Sequence, residues 1–306
     1  MSLREGIVLD GSWERPGRNP LGAGFAGILL CGALYSALGS LSLSLIVAVA
    51  TSRDHSWIRT DSFIEIVKAY YGRFQIPILL VTAVAEFAVF FGLTFLLVNR
   101  WHSSRPARYL AYSRPAALDL VLAGLGAVAI VPLAELLDSW SYVLFPVLRE
   151  LRSGGASLLS IGTPGQLVLV IGAVAITPAV CEEVLFRGWL QGTLRRRLSV
   201  PVTILVQGVL FALFHMSPLS IVALAFVGFY LGYIFDRCGT LFASMTAHCI
   251  YNLTIIGLIN IDPHWPWLMT TSGDIALRAV AVTTAVFALS VVLIEMNSRR
   301  RTLSPA

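Results

Sequence analysis

Six residues in the second half of the sequence have the types and spacing to do chemistry. They are Glu182, Glu183 and Arg187 in CEEVLFRG, His215 closing FALFH, and His248 with Asn252 in HCIYN. Carboxylates and imidazoles together can activate a water, hold a metal ion or relay protons across a membrane. Glu183 and Arg187 lie four apart, about 40° around a helix, with the acid N-terminal to the base, the better order for an ion pair. Glu182 is turned about 100° from Glu183 and is left free. His248 and Asn252 are also four apart, so one helix face presents both as donors. Two histidines and a glutamate also match zinc ligand types, although no HExxH is present.

The elements that must position these groups are membrane helices. Of 306 residues, 57% are hydrophobic and 13% charged, with a mean hydropathy of +0.78. That composition excludes a disordered chain, and it excludes a soluble enzyme whose helices each need a polar face. Charge-poor runs read as spans of about 20 residues. The first run lies between Arg18 and Arg53, the second covers 74–99 with only Glu86, and the third covers 115–137 with Asp119 and Glu135. A fourth runs from Thr163 to Cys181, two more fill 198–235 around a break at Met216-Ser217-Pro218, and the last two cover 238–261 and 276–294. The fold expected is all-α, a polytopic membrane protein with about eight transmembrane helices. The first run lacks a small-residue cleavage signature and reads as an anchor.

An even number of spans puts both termini on one side, and the positive-inside rule makes that side cytoplasmic. Its loops hold Arg100, Arg105, Arg108, Arg114, Arg195, Arg196, Arg197 and Arg237, with further arginines in both tails. The other side holds only Arg53, Arg59, Lys68, Arg73, Arg149 and Arg152. The net charge of +5 is therefore topological, with no aromatic-lined basic surface for nucleic acid. Cys31, Cys181, Cys238 and Cys249 form no CxxC pair and read as packing residues. Residues 60–74 mix apolar and charged positions at near-helical spacing, as either an interfacial or a solvated helix. Residues 139–165, with Gly154-Gly155 and Pro164-Gly165, read as a partly irregular connection.

Helix register places the six residues together. Glu182 and His215 are equidistant from 198.5, in the Leu198-Ser199-Val200-Pro201 turn, and so stand at one height, about 24 Å above it. His248 stands roughly 14 Å above the turn at Cys238-Gly239. The heights agree if the arginine-bearing turn projects about 10 Å, which puts the cluster in the cytoplasmic half of the bilayer. Pro178 leaves the Val174 carbonyl without its helical donor, so a bend is expected just before the acidic pair, either opening a water-filled cavity or standing as an ordinary kink of a transmembrane helix.

Glu-Glu-x-x-x-Arg, Phe-x-x-x-His and His-x-x-x-Asn on successive helices resemble the CAAX protease and bacteriocin-processing family, also called CPBP or ABI. Here they read Glu182 to Arg187, Phe211 to His215 and His248 to Asn252, and the likeness covers about residues 166–260. The type II CAAX prenyl endopeptidases, which have eight helices, are similar. The resemblance implies an intramembrane endopeptidase in which Glu182 and His215 polarise a water, His248 and Asn252 hold the oxyanion, and Glu183 with Arg187 orients the site. It implies no cofactor, with zinc on Glu182, His215 and His248 as the alternative. Membrane lipids and a protein or peptide substrate, lipidated or membrane-anchored, are the implied partners, without nucleic acid. The implied location is the plasma (inner) membrane, as a multi-pass protein.

Three regions are expected: helices one to three over 1–162, the catalytic core over 163–262, and a last helix with a basic tail over 263–306. Two rivals stay open, a non-proteolytic scaffold or immunity protein on the same fold and a proton-coupled transporter. Glu86 reads as a hydrogen-bonded interior residue that could face the same cavity. Asp119, Glu135, Asp138, His55, His102 and His264 read as interfacial.

Overall fold

The computed structural model describes residues 7–53, 62–144, 155–217, 220–260 and 275–303. His55, Arg59, Arg149, Arg152, Gly154, Pro218 and His264 lie outside them. Hydrocarbon offers backbone groups no partner, so apolar runs of this length close their hydrogen bonds within helices. The helices are α1 Pro20–Arg53, α2 Phe63–Arg73, α3 Gln75–Trp101, α4 Ala117–Leu144 and α5 Pro164–Leu194, then α6 Val200–Phe214, α7 Ile221–Cys238, α8 Leu241–Asn260 and α9 Leu277–Leu303. All except α2 and α6 are long and apolar enough to cross a membrane, seven among the described residues. This is an all-helical, multi-pass membrane protein.

The sequence expects eight spans, and the fifth is the short one. Helix α6 has 15 residues, about 22 Å, against a bilayer core of about 30 Å. It ends at His215, where Met216 turns the chain into the left-handed region at φ 46°. The same turn holds His215 at the helix tip, where it is exposed and lines a cavity with Glu182. Over 60–74 the described part is a helix, α2, carrying a Glu65–Lys68 ion pair. The described part of the connection before α5 includes a 3-10 turn, Ser157–Leu159, and Thr163 caps α5 through its hydroxyl and Gln166 N at 3.2 Å.

Three helical stretches widen to π geometry: Phe87–Leu93 in α3, and Ile171–Ile176 and Val184–Gln191 in α5. Such turns redirect side chains and gather at functional sites. Here they flank Glu86 and the pair Glu182-Glu183. Helices α6 and α7 cross at Gly208 and Gly228 so closely that a Cβ on Gly228 would stand 2.9 Å from the Gly208 Cα. Only glycine fits, and the close approach bares the Gly228 carbonyl to polar side chains.

Each end of the bundle has its own polar network. At one end Arg196 pairs with Glu14 at 2.5 Å, His102 Nδ1 meets Glu14 Oε1 at 2.6 Å, and Tyr109 bonds Thr193 at 2.9 Å. There too Arg301 pairs with Asp119 and donates to the Arg237 carbonyl at 3.0 Å. The N-terminal segment and the end of α9 therefore share this arginine-rich face. At the other end Gln75 Nε2 donates to the Leu158 and Ser160 carbonyls at 2.9 and 2.7 Å, and Asn260 Nδ2 donates to the Leu159 carbonyl at 2.9 Å. Asp138 accepts from Ser220 at 2.9 Å. The sequence reads His102 and Asp119 as interfacial; both are buried, 0% and 1% exposed, because the two tails fold over them.

Candidate active site

Helix α5 carries the core of the site. Glu183 and Arg187 are both fully buried, and Arg187 Nη1 donates to Glu183 Oε1 at 2.8 Å. Arg187 Nη2 donates to the bared Gly228 carbonyl at 3.1 Å, and the guanidinium lies 4.5 Å over the Phe211 ring. Buried charge of this kind persists only with such partners. Glu183 Oε1 also meets His248 Nδ1 at 3.0 Å. A carboxylate paired with arginine accepts only, so His248 carries its proton on Nδ1 and turns Nε2 elsewhere.

Nε2 turns to Glu182. Glu182 Oε2 lies 4.0 Å from His248 Nε2 and 3.9 Å from His215 Nε2, and it has no hydrogen-bond partner of its own. His215 Nδ1 stands 2.8 Å from the Phe211 carbonyl, which can only accept, so its Nε2 also faces Glu182 without a proton in the neutral ring. These three groups line a cavity of about 300 Å³ together with Asn252, Pro178 and Glu86. The gaps are too long for direct hydrogen bonds. One water about 2.8 Å from both atoms of either pair would subtend about 90°, an ordinary angle. Tetrahedral zinc with bonds of about 2.05 Å sets ligand atoms about 3.3 Å apart, closer than these. Among the described residues no three His, Cys, Asp or Glu side chains are arranged to hold a metal.

Asn252 has a second task. Its Nδ2 donates at 2.9 Å to the Val174 carbonyl, the one that Pro178 leaves without a helical donor. Where the sequence expects a bend, the helix widens to a π turn over Ile171–Ile176 and borrows this side chain from α8. One of the two Nδ2 hydrogens is then used, and the other remains for the cavity.

The structure thus brings all six sequence-predicted residues together, four on the cavity and two beneath it. Cys181 is buried and Cys249 half-buried, and neither lines the cavity. Glu86 does line it, with Tyr35 donating to Oε1 at 3.5 Å and Oε2 unpartnered. Gln191 and Gln207 were not singled out by sequence. Their amides donate to the Gly232 and Gly228 carbonyls at 2.9 and 2.8 Å, extending the buried polar layer below the cavity. The signal was legible in retrospect: Glu183, Arg187 and Gln191 recur every four residues along one face of an apolar helix.

Residues 164–254 match the family described as Type II CAAX prenyl endopeptidase Rce1-like. Over those residues the chain is similar to that family. The match supports a CAAX-type intramembrane protease in general terms and takes in every one of the six residues. No curated protein and no solved structure matches the chain. The matched stretch does not build the cavity alone, because Leu79, Thr82, Glu86 and Leu158 reach it from outside those residues.

Proposed function

We propose that this protein is an intramembrane endopeptidase that hydrolyses a peptide bond near the membrane with a water activated by Glu182, without a metal. The observation that carries this is the unpartnered Glu182 oxygen facing two imidazole nitrogens at 3.9 and 4.0 Å across a cavity. Water there gives one hydrogen to Glu182 Oε2 and the other to His215 Nε2, leaving its lone pairs for the scissile carbonyl carbon. As the C–O bond forms, Glu182 takes the proton, and the carbonyl oxygen becomes an oxyanion. The free Nδ2 hydrogen of Asn252 meets that oxyanion, joined by His248 Nε2 when the ring is protonated, a form that Glu183 stabilises from Nδ1. When the C–N bond breaks, Glu182 returns its proton to the leaving amine. Glu183 and Arg187 hold His248 in place and touch no substrate.

The substrate is a lipidated or membrane-anchored protein or a leader or sorting peptide, and the location is the plasma membrane with both termini in the cytoplasm. The test uses membranes from cells making the wild type or Glu182→Gln, incubated with and without EDTA or 1,10-phenanthroline. New protein termini that form with wild type, persist in chelator and vanish in the variant are expected. Loss of those termini in chelator alone, restored by zinc, would establish the metal mechanism in place of this one.

A further inference from the structure

We infer that the cavity is fed from the membrane face opposite both termini, so that its substrate is a peptide presented on the extracytoplasmic side, with apolar residues flanking the scissile bond. This deepens the proteolytic reading above and rests on it for the substrate.

The first observation is where the cavity leads. From Glu182 its lining passes Val174, Thr82 and Asn252 and reaches Leu79, Leu224 and Leu158. The Leu158 carbonyl is held by Gln75 at the end where α3 and α5 begin, so that end carries the mouth. The opposite direction is closed. Below Glu182 come Glu183, Arg187 and Gln191, all at 0% exposure, with Glu183 held by Arg187 and His248 and the other two donating to α7 carbonyls, and then Trp189, Leu190 and Leu194 at 1% or less. Neither water nor peptide has a path through that layer.

The second observation is charge. The sealed end is the one that holds Arg195, Arg196, Arg237 and Arg301, with Glu14 paired to Arg196 and Arg301 to Asp119, whereas the described residues at the mouth end hold only Arg53, Lys68, Arg73 and Arg278 as basic groups. Insertion leaves the arginine-rich side in the cytoplasm, so the mouth faces outward. Leu79, Leu158, Leu224 and Val227 make its walls apolar, which favours apolar side chains beside the bond to be cut.

The test is direct. Leu158→Cys is made in a background with Cys31, Cys181, Cys238 and Cys249 replaced by alanine, and a membrane-impermeant maleimide is applied to intact cells and to inverted vesicles. Labelling in intact cells that is lost in inverted vesicles is expected. Labelling confined to inverted vesicles would overturn the inference. Should the cysteine-free background fail to fold, fusions to the native C-terminus decide: fluorescent protein active and alkaline phosphatase inactive is expected, and the reverse overturns it. Neither readout needs activity, and both are repeated in Glu182→Gln. Outward labelling with no cleaved protein would remove the proteolytic reading alone; inward labelling with a cleaved protein would remove the inference alone.

Discussion

Glu182 and Glu183 are sequence neighbours in opposite circumstances. Glu183 is fully buried and paired with both Arg187 and His248, while Glu182 keeps an oxygen without a partner on the cavity. Glu182→Gln keeps the shape and removes the base, so cleavage should fall by at least about 10²–10⁴-fold with unchanged accumulation. Arg187→Ala should behave oppositely, because it strands a buried carboxylate at a cost of about 3–5 kcal/mol; immunoblots of the membrane fraction should show the loss of protein. Equal accumulation of Arg187→Ala with the wild type would count against that division. These positions were legible in sequence because ionisable residues inside apolar runs stand out one by one, whereas their roles come from the family resemblance. Glu86 stood out too, but its exposure to the cavity depends on α5, α6 and α8, and no spacing within α3 reports on them.

Between elements, the contacts that matter are made by backbone carbonyls. Gly208 and Gly228 bring α6 and α7 together, and the Gly228 carbonyl then receives Arg187 and Gln207. Gly208→Val should separate the helices and lower yield sharply, measurable as loss of the monodisperse peak in detergent. Asn252 joins α8 to α5 through the Val174 carbonyl. Asn252→Ala should cost both yield and about 10²–10³-fold in rate. Adding Pro178→Ala restores a backbone donor to Val174, so the double variant should regain yield and stay slow. Recovery of rate as well would show that Asn252 only satisfies that carbonyl. The spans were legible from charge-free runs, and Pro178 announced a disturbed helix. Its form, a π turn mended from another helix, was not legible, since cross-helix register is a property of packing.

Across the whole molecule, the N-terminal segment is strapped to the arginine-rich end by Glu14, His102 and Arg196. Burial holds the His102 imidazole below its ordinary 6.5, against the pull of Glu14. For Glu14, burial alone would raise the carboxyl, but its bonds to Arg196 and His102 outweigh that and keep it below 4.5. Both groups bind protons more weakly folded than unfolded, so their contribution is complete above about pH 6.5 and is lost as pH falls, through His102 first and Glu14 next. Limited proteolysis of residues 7–19 in detergent should therefore accelerate on acidification below pH 6.5, and Glu14→Gln should show it already at neutral pH. The central claim concerns the opposite side of the same bundle, where Glu182 is proposed to activate a water. Its most direct test compares protein termini, by mass spectrometry of membrane and secreted fractions, between cells making wild type and equal amounts of Glu182→Gln. At least one terminus present with wild type and absent with the variant is predicted; identical termini at equal accumulation would contradict it.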